Sequence, residues 1–322
     1  MKKMIETFVI VTVAVTTALS CTKSNTEISG EGRTVRFTSA ASETKTVFGN
    51  KNAETGNYPV LWTADQKVAL FYNSQTGISS EGYGGAQYVT PVPSPDGLTA
   101  EFSATFTKEE TASHSFYAFS PLCALNGMLN ENWGTVIKKA LYANIPADQV
   151  PVPGTCDQAA QLIVAHAEYN TFPEKVELSF SHLSSYGKIG ELSLPEGAED
   201  IVGVTIESNK ILSGEIYYYY DEPGKVNANY QKEEDLYKKV FPYIYLDVNN
   251  AHRGTSLKDV FFATVPVSFG EDDWLKITVH TQGNWHWKKT ITFKSAQKLE
   301  FKPGHISSFS VSADDFDKYY AE

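Results

Sequence analysis

The chain has 322 residues, 38 Asp and Glu against 27 Lys and Arg, and a formal net charge of −11. An acidic body does not suggest nucleic acid or an anionic lipid surface as a partner, and a chain this long suits two domains of roughly 150 residues better than one core. Its 18 Phe, 18 Tyr and 5 Trp, together with Val, Ile and Thr, favour strands.

The N-terminus carries Lys2 and Lys3, then an uncharged run from Thr7 to Leu19, then Ser20. A basic start, a short apolar core and a small residue make residues 1–20 a secretory signal; the run is too short for a transmembrane helix. Cys21 follows directly, and Ala18-Leu19-Ser20-Cys21 resembles a bacterial lipobox. The resemblance implies a lipidated Cys21 as the mature N-terminus. Residues 21–33 are polar and Gly-containing and read as a flexible leash.

Alternation begins at Thr34, with Val35 and Phe37 on one face and Thr34, Arg36 and Thr38 on the other. A polar loop follows through Asn57. Further strands are expected around Val68-Leu70-Tyr72, Phe102-Ala104-Phe106, Ser115 to Ser120 and Leu162-Val164-His166, with Pro/Gly segments at 91–97 and 151–154 between them. Many short strands with turn signals argue an all-β protein built from β-sandwiches. Thr171-Phe172-Pro173-Glu174 reads as a joint, which divides the body into domains 34–173 and 174–322. Strands then resume at Val176-Leu178-Phe180, Val202-Val204-Ile206 and Ile216 to Tyr220, with Glu233 to Val240 as a short helix and Pro266 marking an edge or a bulge. No fixed repeat points to a solenoid or propeller.

The last hairpin has a specified register. A two-residue turn at Gly283-Asn284 would split its apolar residues between two faces. A three-residue loop, 282–284, pairs Val279 with Trp287 and Leu275 with Ile291, and gathers them on one face with Trp285. Lys289 then falls on the apolar face, and His280 and His286 lie on the polar face as diagonal neighbours.

No catalytic signature is present: there is no G-x-S-x-G, H-E-x-x-H, P-loop or C-x-x-C. No cofactor or metal is expected, because two histidines without a third ligand do not make a zinc site. The acidic runs 271–273 and 314–317 lack calcium-loop spacing and read as solvated charges. Cys123 and Cys156 can pair in an oxidising compartment or pack as small apolar side chains. Tyr217 and Tyr219 face away from Ile216, Tyr218 and Tyr220, and form a candidate exposed aromatic patch. That patch supports an alternative function, a surface glycan-binding lipoprotein.

Several segments, in order, carry a family resemblance. They are Cys21 with its lipobox; Thr34 to Thr38; Glu43-Thr44-Lys45-Thr46; Trp62 to Phe71; Phe116 to Pro121; Ile145-Pro146-Ala147-Asp148-Gln149; Val176 to Leu183; and Leu299 to Gly304. This set resembles the fimbrillin family, the subunits of lipoprotein-derived (Type V) pili and their surface-adhesin relatives. The resemblance implies two tandem transthyretin-like β-sandwich domains, display at the outer membrane, and partnership with other pilus subunits and with a host or bacterial surface receptor. In stalk subunits of the family, a trypsin-like protease cuts after an arginine that follows the first strand, and the vacated groove accepts a strand from the next subunit. Here Val35 and Phe37 would be the groove-filling side chains. Arginine occurs only at 33, 36 and 253, and Lys45 stands where relatives carry Arg. The candidate cut sites are Lys45, Arg33 and Arg36, and an anchor, tip or accessory role fits as well as a place in the shaft.

Overall fold

Alternation and apolar runs in the sequence become strands almost throughout the computed structural model, which describes residues 33–39, 47–48, 60–73, 87–106, 115–133, 136–219, 226–228, 240–249, 254–283, 285–292, 298–312 and 316–320. Up to residue 173 these are β1 (Arg33–Ser39), β2 (Val47–Phe48), β3 (Val60–Leu61), β4 (Val68–Asn73), β5 (Gln87–Val89), β6 (Val92–Pro93), β7 (Ala100–Phe106), β8 (Ser115–Ser120), β9 (Leu125–Trp133), β10 (Val136–Ile145), β11 (Asp148–Gln149) and β12 (Ile163–Glu168). After it come β13 (Lys175–Leu178), β14 (Phe180–His182), β15 (Ser185–Ser193), β16 (Ile201–Ser208), β17 (Ser213–Tyr219), β18 (Val226–Ala228), β19 (Val240–Phe241) and β20 (Tyr243–Asp247). The chain continues with β21 (Ser256–Thr264), β22 (Val267–Phe269), β23 (Trp274–Thr281), β24 (Trp285–Thr292), β25 (Leu299–Phe301), β26 (Ile306–Val311) and β27 (Asp317–Tyr320). The protein is all-β. The helix expected at 233–240 falls on residues outside the described ones, except for Val240, which begins β19.

The sheet ordered β14-β12-β8-β4-β5 is buried on both faces. Val68, Leu70, Phe116, Ala118, Ile163 and Ala165 point to one core, while Ala69, Phe71, Tyr117, Phe119 and Val164 point to another. This explains the nearly continuous apolar runs Val68-Ala69-Leu70-Phe71 and Phe116-Tyr117-Ala118-Phe119. A half-buried strand would alternate, as the first of these was expected to, but a strand covered on both sides has no polar face. The first cover is the sheet β13-β1-β7-β6, and the second is the sheet built on β9, β10, β17 and β18. A third core lies between the sheet β11-β20-β16-β23-β24-β27 and the sheet β21-β15-β26. β21 serves two cores at once: Phe261 and Ala263 face the middle one, and Val260 and Phe262 face the third.

Strand pairing crosses residue 173 in both directions. β13 and β14 follow it, yet they pair with β1 and β12. β10 and β11 precede it, yet they pair with β17 and β20. Residues 171–174 hold no strand, and strand pairs run across them in both directions. The buried Gln149 amide ties the halves together: its Nε2 donates to the Ala263 carbonyl (2.7 Å) and its Oε1 accepts from the Ala263 N–H (2.9 Å). These two bonds satisfy a backbone unit that has no strand partner on that side among the described residues, at a place where an unpaired buried group would cost about 1–3 kcal/mol.

The hairpin register is the expected one: Val279 opposes Trp287 and Leu275 opposes Ile291, and Trp287 is buried. The side chains of Trp285 and Lys289 lie outside the described ones. In β16 the reading fails locally. A bulge between Ile201 and Gly203 breaks the pairing with β23, so Ile201 is buried and Val202, expected inside, turns half out.

Gly187 faces Phe262 directly across the β15–β21 pair, and a methyl group on Gly187 would overlap that ring. Phe262 in turn packs against Phe301 at 5.9 Å. Gly187→Ala is expected to lower stability by about 1–3 kcal/mol through overpacking, measured as a lower urea midpoint at unchanged m-value.

Candidate functional site: the slot of the first strand

β1 alternates as its sequence dictates: Val35 and Phe37 are fully buried, Ser39 is buried at the strand's end, and Thr34 and Arg36 are exposed. It is a central strand, because β7 pairs with it antiparallel (Val35 opposite Ala104, Phe37 opposite Phe102) and β13 pairs with it parallel (Phe37 opposite Val176). Both of its ladders are therefore occupied. Phe37 lies face to face with Phe102, ring centroids 5.3 Å apart and planes at 2°. It meets Phe116 edge-on at 5.5 Å and Phe106 at 6.2 Å. At the far end, the Ser39 hydroxyl accepts the Ala100 N–H at 2.7 Å. Withdrawal of β1 would uncover a slot with a phenylalanine floor, two unpaired edges and one polar pocket.

The candidate cut sites differ in access. Arg33 opens β1 with its side chain about half exposed; its guanidinium donates to Glu174 at 3.0 Å and lies 5.4 Å from the centre of the Phe172 ring. A cut after Arg33 would free what precedes it and leave β1 seated. Arg36 is flanked by Ser103 and Lys175, and its N–H donates to the Glu174 carbonyl at 3.2 Å. A peptide bond paired on both sides is a poor protease substrate, since nicking concentrates in exposed loops. Cys21 and Lys45 lie outside the described residues.

The other candidates occupy other places. Tyr217 and Tyr219 sit opposite in sense to the buried Ile216 and Tyr218, as expected, but they are half-buried rather than open. Tyr217 packs on Tyr142 of β10 with centroids 5.0 Å apart. Tyr220 lies outside the described residues. Cys156 is fully buried, and burial, then the nearby Asp157 charge, push its thiol well above its ordinary range. Cys123 is at the surface, and the two are not joined. Among the described residues no three His, Cys, Asp or Glu side chains gather as a metal site. In the acidic run 271–273, Asp273 is held to about 2 by the Gly270 N–H and by Lys210, whose ammonium is 2.8 Å away.

His280 and His286 are directly opposite each other, not diagonal, with their Nδ1 atoms 2.7 Å apart. The loop length that aligns Val279 with Trp287 also aligns the two histidines. The Nε2 of His280 is 2.7 Å from the Thr205 hydroxyl. Burial, then the neighbouring His286, lower His280 to about 4, and Glu207 opposes them weakly.

Solved structures similar to this chain include a protein provisionally named a cell adhesion protein from Bacteroides uniformis, at 13% identity, covering 89% of this chain and 96% of that one, with a TM-score of 0.49. Another so named, from Bacteroides ovatus, has 12% identity, coverage of 90% and 96%, and a TM-score of 0.49. A fimbrial protein from Bacteroides vulgatus has 10% identity, coverage of 81% and 94%, and a TM-score of 0.37. No protein-family model matches the chain. No curated protein matches it either.

Two outcomes are expected from this geometry. Phe37→Ala should cost about 3–5 kcal/mol, the range for emptying a buried phenylalanine site, read from the urea midpoint. The lowered His280 has a sign that can be worked out: between its ordinary value of 6.5 and about 4, the unfolded chain binds more protons than the folded one. Stability is therefore complete above 6.5, falls as pH drops to about 4, and levels off below. His280→Gln should flatten that part of a thermal-melting profile against pH; an unchanged slope would show that other groups set it.

Proposed function

We propose that the chain is a fimbrial subunit, or an anchor or accessory protein of a fimbria, that serves cell adhesion and joins its neighbours by β-strand addition. The observation that carries this reading is the position of β1, central between β7 and β13 with Val35 and Phe37 wholly buried. A strand docked at an edge could leave without opening a groove. A central strand leaves two rows of backbone donors and acceptors and a row of side-chain pockets. Those are the elements of strand addition: main-chain hydrogen bonds for affinity and alternate side chains for specificity. The ordered segments shared with fimbrillins support the same reading.

On this reading Cys21 carries the lipid that holds the precursor at the outer membrane, other pilus subunits are the partners, and a surface receptor is the adhesion target. Residues 38–57 contain no arginine, so removal of β1 would use Lys45. Without that cut the lipid stays and the protein serves as an anchor or accessory. Nothing in the proposal requires catalysis.

The test uses the chain beginning at Thr46, which lacks β1, and a synthetic peptide of residues 33–39. The peptide is expected to bind in a complex that survives mild denaturant, and its Phe37→Asp version at least about tenfold more weakly, since tenfold corresponds to ~1.4 kcal/mol. A refolded chain that binds neither the peptide nor a second subunit would overturn strand addition. Mass determination of the protein's N-terminus from cells then separates a lipidated Cys21 from a start at Thr46 or Thr34.

A further inference from the structure

β10 and β17 run antiparallel, with Leu141, Ala143, Ile145, Ile216 and Tyr218 turned into the middle core. The opposite face of this pair collects polar and aromatic side chains: Tyr142 opposes Tyr217, and Asn144 opposes Glu215. Phe241 of β19 stands beside β17, paired with Ser213. These strands border an open cleft of about 450 Å³ whose lining includes Cys123, Tyr142, Asn144, Pro146, Glu215 and Phe241. That volume lies within the range of small-molecule sites. The aromatic face extends beyond the cleft to Tyr219, so Glu215, Tyr217 and Tyr219 line up over ~13 Å at two residues per step.

We propose that this cleft and the tyrosines beside it bind a neutral oligosaccharide. Tyr142 and Phe241 line the cleft with aromatic surface on which the C–H faces of sugar rings can pack, and Tyr217 lies beside Tyr142. The Asn144 amide both donates and accepts, and the Glu215 carboxylate accepts from hydroxyl groups, a donor and acceptor set suited to vicinal hydroxyls. Neither side chain is hydrogen-bonded within the protein among the described residues, so that capacity faces the cleft. Among the described residues the lining holds a carboxylate and no Lys or Arg, which disfavours sialylated, sulfated or phosphorylated sugars. The length of the row favours a chain of rings over a single ammonium group. Sequence reading singled out Tyr217 and Tyr219, but Tyr142, Asn144, Glu215 and Phe241 come together only through strand pairing.

The site lies apart from β1, so it stands or falls independently of strand exchange. The test is an array of neutral hexose and N-acetylhexosamine oligosaccharides against the non-lipidated chain from Thr22, followed by calorimetric titration of the hits. Binding is expected, with Tyr142→Ala and Glu215→Gln each weakening it at least about tenfold, the Glu215→Gln variant at an unchanged melting temperature. Tyr142→Phe should keep most of it, because stacking survives loss of the hydroxyl. The proposal is overturned if no neutral glycan on the array binds, if both weakening variants bind as tightly as the parent, or if acetyl-lysine amide binds the cleft and the sugars do not.

Discussion

The fold depends on a sheet that has no solvent face. β4, β8 and β12 place apolar side chains on both sides, so each side must be covered. One cover is the sheet that contains β1, and the other is the sheet that contains β10 and β17. At about 25 cal/mol per Å² of apolar surface, leaving either side wet is untenable for a domain of ordinary stability. Both regions of functional interest are the outer parts of these covers. The slot belongs to the first, and the aromatic cleft lies on the outer face of the second.

This arrangement bears on the proposal that the first strand is removed. β1 contributes two fully buried side chains and two backbone ladders. On the proposed reading its removal would leave the middle sheet's own strand pairs intact, since β1 pairs with β7 and β13 of the covering sheet. Phe102 and Phe106 of β7, and Val176 and Leu178 of β13, remain rooted in the same core as Phe116 and Phe180. The exposed floor would then favour any strand of matching alternation, from the same chain or another. The same physics makes an empty slot a hazard, since unpaired edges invite unspecific pairing.

Much of this was legible in the chain. The alternation of Val35 and Phe37, the strand Ser115–Ser120 ended by Pro121, and the register of the last hairpin follow from local pattern. A half-buried strand has period two, and a one-residue slip would move every apolar side chain to water. Two things were not legible. The bulge at Ile201 and Gly203 leaves the same residues in the same order and changes only which ones face inward. Pro173 and its neighbours carry the composition of a linker, yet strand pairs cross residue 173 in both directions. The directly opposed histidines, by contrast, already follow from the register that pairs Val279 with Trp287.

The sequence by itself determined that the protein is all-β, which strands have a buried face, and that Val35 and Phe37 belong to a core. Those are properties of side chains and their immediate neighbours. The tertiary structure decided which distant segments meet: β1 with β13, the Gln149 side chain with the Ala263 backbone, and Tyr142 with Tyr217. Backbone hydrogen bonds are the same for every residue and carry no address, so partners so far apart in the chain are selected by the fit of whole faces around a shared core.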